Sequence, residues 1–144
     1  MGNIKILVID GQGGGLGKNI TEQIKNTAEL ENCRITAVGT NSTAAAAMLR
    51  GGADIAATGE NAAVVNARDA DIITGAIGIC FADSMHGEIS AKMAEAVCTS
   101  AAVKILLPLA QYNINIMGIA EKTMAQYIGE AVEKIKEIVL ENNK

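Results

Sequence analysis

The chain contains no tryptophan, one phenylalanine and two tyrosines among its 144 residues. Aromatic platforms for stacking successive bases are therefore scarce, which argues against single-stranded nucleic acid as a partner. Basic residues are not in excess either: 12 Lys and Arg face 16 Asp and Glu, a net charge of −4 that repels a phosphate backbone. No run reaches the ~18 apolar residues of a membrane-spanning helix. Met1-Gly2-Asn3-Ile4-Lys5 also lacks the charged-then-apolar layout of a secretory signal. The expectation is a cytoplasmic protein with neither nucleic acid nor membrane as partner. Cys33, Cys80 and Cys98 include no CxxC pair and are odd in number, which fits reduced thiols rather than a disulfide framework. One histidine, His86, among scattered carboxylates lacks zinc-like spacing, so no metal site is expected.

Apolar residues make up 49% of the sequence, enough for one domain with its own core across residues 1–144. With aromatics at 2%, that core must be built from Ala, Ile, Val, Leu and Met. Glycine is the exception to the general sparseness. Gly11, Gly13, Gly14, Gly15 and Gly17 occupy five of seven positions directly after the apolar run Lys5-Ile6-Leu7-Val8-Ile9. Glycine takes φ > 0 and lets a backbone approach a ligand closely, at an entropic cost. The helix that follows would present unpaired N–H groups and partial positive charge, a ready site for phosphate.

Apolar and helical patterns then alternate. Leu16, Ile20 and Ile24 predict a first helix, Arg34–Val38 a second strand, and Thr43–Leu49 a second helix capped by Asn41 or Ser42. Asp54–Ala57 predicts a strand and Ala62–Ala67 a short helix. Asp71–Thr74 predicts a fourth strand, continuing or kinking through Ala76–Phe81. After the polar loop Asp83–Glu88 comes a helix with Met93, Val97 and Ala101 on one face, then a strand at Val103–Leu107, ended by Pro108, the only proline. Tyr112, Ile114 and Ile116 alternate with asparagines as an edge strand does, and Met124, Ile128, Ala131, Ile135 and Ile138 mark a closing amphipathic helix. The fold class is α/β: three-layer and Rossmann-like, with a mostly parallel five- to six-stranded sheet and helices on both faces. An echo between Ile35–Asn41 and Ile55–Asn61, which share Ile, Ala, Gly and Asn, places two similar turns at carboxyl ends of strands, where open α/β sheets hold ligands.

Two phosphate-binding templates fail by position. GxGxxG meets Leu16 when started at Gly11 and Lys18 when started at Gly13. Walker A fails because Gln12 stands five residues before Gly17 and Asn19 follows Lys18. Gly11-x-x-x-Gly15-x-Gly17 resembles the glycine pattern of the short-chain dehydrogenase/reductase family, and the resemblance implies a dinucleotide-type loop. That family's Tyr-x-x-x-Lys pair has no counterpart, since Tyr112 leads to Ile116 and Tyr127 to Ala131. A ribose-binding acid is expected at the end of the second strand, where this chain has Gly39-Thr40-Asn41-Ser42. Hydroxyls and amides there, with Lys18 or Arg50, leave NADP-like or mononucleotide ligands open.

The expected binding residues are Gly11, Gln12, Gly13, Gly14, Gly15, Leu16, Gly17, Lys18, Thr40, Asn41, Ser42, Gly59 and Asn61, with Asp83–Glu88 completing the wall. His86 and Glu60 are the acid–base candidates, an imidazole that titrates near neutrality and a carboxylate in a strand-end turn. The expected ligand is a phosphate-bearing small molecule, with NAD(P) or another nucleotide as cofactor. A non-catalytic sensor or assembly subunit and a small NAD(P)-dependent oxidoreductase are the alternatives. Self-association is open to so apolar a domain.

Across nearly the whole chain, the ordered set Ile9–Gly14, Gly39-Thr40-Asn41, Ala57–Ala62, Ala82-Asp83-Ser84, Gly87-Glu88 and Leu106-Leu107-Pro108 resembles the bacterial family known as domain of unknown function 3842. The resemblance implies a small α/β fold and no particular activity.

Overall fold

A computed structural model describes residues 3–109 and 113–143. Strand β1 (Lys5–Asp10) is the central element, and its sequence explains why. Ile6 and Val8 pack into one core while Leu7 and Ile9 pack into another, so both faces of the strand are covered. Around it lie β2 (Arg34–Gly39), β3 (Ile55–Thr58), β4 (Ile72–Ala76) and β5 (Val103–Leu107), in the order β3-β2-β1-β4-β5. Every pairing is parallel, with Ile6 opposite Ile35 on one side and Ile72 on the other.

Helices α1 (Gly15–Lys25), α2 (Ser42–Arg50) and α5 (Met124–Asn142) cover one face through Ile20, Ile24, Met48, Ile128 and Ile135. Helices α3 (Glu60–Asp69) and α4 (Ala91–Thr99) cover the other through Ala63, Ala67, Met93 and Val97. This is the three-layer Rossmann-like arrangement. The chain runs outward from β1 to β3, crosses over, and runs outward again from β4, so the topological switch falls between β1 and β4. In such sheets the crevice at the carboxyl end of the switch is where ligands sit.

Several expectations are corrected. The apolar run after β4 does not extend the strand: Ile77–Cys80 forms a 3-10 turn, which carries Ile79 back into the α3–α4 core. Helix α4 ends at Thr99, and Ala101 is exposed while Ala102 is buried. Ser100 breaks the helix there, its Oγ donating to the Ala67 carbonyl at 2.6 Å and accepting from Ala102 N at 3.1 Å. The alternation at Tyr112–Ile116 does not make a sixth strand among the described residues. Tyr112 lies outside them, and of Asn113–Ile116 only Ile114 makes an isolated bridge. Helix α3 starts two residues early, at Glu60, and Met124 at the head of α5 is exposed instead of packed.

Candidate functional site

The glycine loop is organised by an acid that precedes it. Asp10, the last residue of β1, is buried, and its two carboxylate oxygens accept from Gly11 N at 2.8 Å and Gly17 N at 2.7 Å. Gly14, the residue before α1, offers no side-chain cap, so Asp10 satisfies one of the helix's free first-turn donors. Burial pushes the Asp10 carboxyl above its ordinary value, and the two amides oppose that shift.

The glycines then divide into two classes. A Cβ on Gly14 would lie 2.7 Å from Ala44 Cα, and its φ of 77° is left-handed. A Cβ on Gly17 would meet Met48 and Asp10, and one on Gly11 would lie 2.8 Å from Thr40 Oγ1 and 2.9 Å from Met85 Sδ. These three are glycines because the fold leaves no room. Gly13 and Gly15 have nothing within 4 Å of where a Cβ would stand, and neither has a positive φ. Packing does not explain them.

Facing this loop is the segment after β4. Asp83 N donates to the Ile89 carbonyl at 2.7 Å, and Ile89 N to the Ser84 carbonyl at 3.2 Å, closing residues 83–89 into a compact turn. Ser84 Oγ donates to the Gly78 carbonyl. From this turn Glu88 reaches across β1: its Oε1 accepts from Gln12 N at 2.9 Å, Thr40 Oγ1 at 2.5 Å and Asn41 Nδ2 at 2.8 Å. The Thr40 and Gln12 bonds hold the Glu88 carboxyl below its ordinary value. Asn41 also donates to the Gln12 carbonyl and caps α2 by accepting from Ala44 N at 2.8 Å. One carboxylate oxygen thus joins the ends of β1, β2 and the β4 loop.

Between these walls is a cleft of about 1000 Å³ at the β1–β4 switch. Its floor and near wall are Asp10 to Leu16. Its far wall is Ala76 and Phe81 to His86, and beyond β5 it is lined by Leu109, Asn113, Ile114 and Met124. Among the described residues no lysine or arginine lines it. Gly15 N and Leu16 N, in the open first turn of α1, have no hydrogen-bond partner among the described residues.

The structure therefore gathers Gly11, Gln12, Gly13, Gly14, Gly15, Leu16 and His86 at one cleft. Gly17 is buried behind it. Lys18 runs along α1 toward Glu22 at 3.8 Å. Thr40 and Asn41 face Glu88, and Ser42 opens α2. Gly59, Glu60 and Asn61 sit at the start of α3 beyond the edge strand β3 and do not line the cleft. The role of Glu88 had no signature in the sequence: it is one carboxylate in a polar loop, 48 residues from Thr40. Asp10, hidden at the end of an apolar strand, had only its place before the glycines to announce it.

No group of three or more His, Cys, Asp or Glu is placed to hold a metal among the described residues, and none of their helices is long and apolar enough to cross a membrane. All three cysteines are free. Cys98 lies 3.8 Å from the Cys80 carbonyl, and burial together with Cys98 pushes the Cys80 thiol up to about 12.

The model of one protein family, domain of unknown function DUF3842, matches residues 5–140. The chain belongs to that family. The match takes in every strand, all of helices α1 to α4 and most of α5, including both walls of the cleft. No curated protein and no solved structure matches the chain.

Proposed function

We propose that the protein binds a phosphate-bearing small molecule, of nucleotide or dinucleotide type, in the β1–β4 cleft, with the phosphate on the first-turn amides of α1. The observation that carries this reading is the pair Gly13 and Gly15. Both line the cleft, and neither is required by packing or by φ. Glycine loses more backbone freedom on folding than any other residue, so two that the fold does not require carry a cost. Close approach of a ligand to the backbone explains why no side chain stands there. Asp10 takes the Gly11 and Gly17 amides, leaving those of Gly15 and Leu16 for the anion. The helix dipole adds partial positive charge at that point, which supports anion binding where the described lining has no Lys or Arg.

His86 lines the same cleft and is the acid–base group assigned to it; Glu60, away from the cleft, takes no part. Phosphoryl transfer relies on cationic clamps around the moving group. Their absence from the described lining favours recognition, as in a sensor or assembly subunit, over that chemistry.

Thermal unfolding with a panel of nucleotides, dinucleotides, sugar phosphates and inorganic phosphate tests the reading, because a ligand of the folded state raises Tm by mass action. At least one phosphate compound should raise Tm, and Gly15→Val should abolish the rise without unfolding the protein. A panel with no effect, or a rise that survives Gly15→Val, contradicts it.

A further inference from the structure

We infer that Glu88 is a specificity-determining residue that closes the β2 side of the cleft, so that the site takes a phosphomonoester with a single body, of the nucleoside monophosphate class, and rejects dinucleotides. The inference rests on the phosphate reading above. In a doubly wound sheet a dinucleotide spans the carboxyl ends on both sides of the switch, and an acid at the end of the second strand takes the ribose hydroxyls of one half. Here that ground lies between Gln12 and Thr40-Asn41, and protein already fills it. Glu88 Oε1 takes the Gln12 amide, the Thr40 hydroxyl and the Asn41 amide together. The polar groups bordering the place of a second nucleoside are thus already bonded within the protein.

Space is closed as well as polarity. Met85 Sδ stands 2.9 Å from where a Cβ of Gly11 would be, so the turn lies directly on the glycine loop at its β2 side. Asn41 Nδ2 also donates to the Gln12 carbonyl at 2.9 Å, which leaves neither of its hydrogens for a ligand. On the opposite side the described lining is different: Leu109, Ile114 and Met124 offer apolar surface beyond β5. A phosphate on the α1 amides therefore leads in one direction only, toward a wall suited to one planar or apolar body. The acid that a dinucleotide site keeps for ribose is here an internal tie supplied from another loop.

Binding constants of AMP, UMP, NAD+ and NADP+ for the full chain, by titration calorimetry, test this. Wild type should bind a monophosphate at least about tenfold more tightly than either dinucleotide, and Glu88→Ala should narrow that gap. If Glu88→Ala does not fold, Thr40→Val removes the shortest of the three bonds and should narrow the gap in the same direction. A dinucleotide that binds wild type as tightly as the monophosphates overturns the inference and leaves phosphate binding standing. A gap unchanged in the folded variant overturns the role of Glu88. If none of these ligands, nor inorganic phosphate, binds wild type, the phosphate reading falls and this inference with it.

Discussion

The carboxylate of Asp10 accepts the Gly17 amide at 2.7 Å, so the end of the central strand holds the first turn of the helix that follows the glycines. Asp10→Ala would leave two buried amides without acceptors, each at a cost of ~1–3 kcal/mol. Urea unfolding should show a loss of about 2 kcal/mol or more. The pH dependence has a definite sign. Burial raises the Asp10 pKa, so the proton-linked part of its contribution is fully present below the unfolded value of 3.8 and weakens as pH rises through the folded value, while the two amide bonds remain. Relative to Asp10→Asn, wild type should lose stability across the interval just above 3.8 and show no further change beyond it.

Glu88 has the opposite sign. Its bonds lower the folded pKa, so its contribution is present above the ordinary value of 4.5 and is lost as pH falls through the folded value. Glu88→Gln should therefore lower stability above 4.5 and flatten the acid limb of the curve below it, as measured by thermal unfolding across pH.

The two classes of glycine predict opposite responses to a methyl group. Gly15→Ala should be neutral or stabilising by up to ~1 kcal/mol, because an exposed helical glycine with open space gains from reduced unfolded-state freedom. Gly14→Ala meets backbone and a left-handed φ, and Gly39→Ala would press on the backbone nitrogen of Ala45. Each of those should lose ~1–3 kcal/mol by the cost of overpacking. Equal responses at Gly14 and Gly15 in chemical unfolding would contradict the division.

Thr74 lies in the middle of β4, fully buried, and its hydroxyl has no hydrogen-bond partner among the described residues. Valine has the same shape and no polar atom to desolvate. Thr74→Val should therefore stabilise the protein by ~1 kcal/mol, the scale of an unsatisfied buried hydroxyl, read as a higher urea midpoint at unchanged slope.

The order of strands and helices was legible because β1 is an uninterrupted apolar run, β2 and β4 are apolar runs broken by one threonine each, and the longer helices keep apolar residues at steps of three and four. Legibility failed where hydropathy does not determine shape. Ala76–Phe81 is apolar like a strand yet turns at Ile77, because Ile79 finds a core on the far face. At the site, the glycine loop was visible from composition alone, whereas its two acids were not. Asp10 acts within seven residues of itself, through the amides of Gly11 and Gly17 that no side-chain pattern marks, whereas Glu88 acts across 47 to 76 residues, a relationship set by the parallel register of β1, β2 and β4. The turns at Gly39-Thr40-Asn41 and Gly59-Glu60-Asn61 look alike in sequence but lie on different strands, and only the first meets the glycine loop.

The most direct measurement is an amide-resolved NMR titration of the 15N-labelled chain with inorganic phosphate and with a nucleoside monophosphate. The amides of Gly13, Gly15 and Leu16 should shift first and furthest, those of Gly11 and Gly17 less because Asp10 already holds them, and those at Gly59–Asn61 not at all. Saturable shifts elsewhere with Gly13, Gly15 and Leu16 unmoved, or no shifts with either ligand, would contradict a phosphate site at the start of α1.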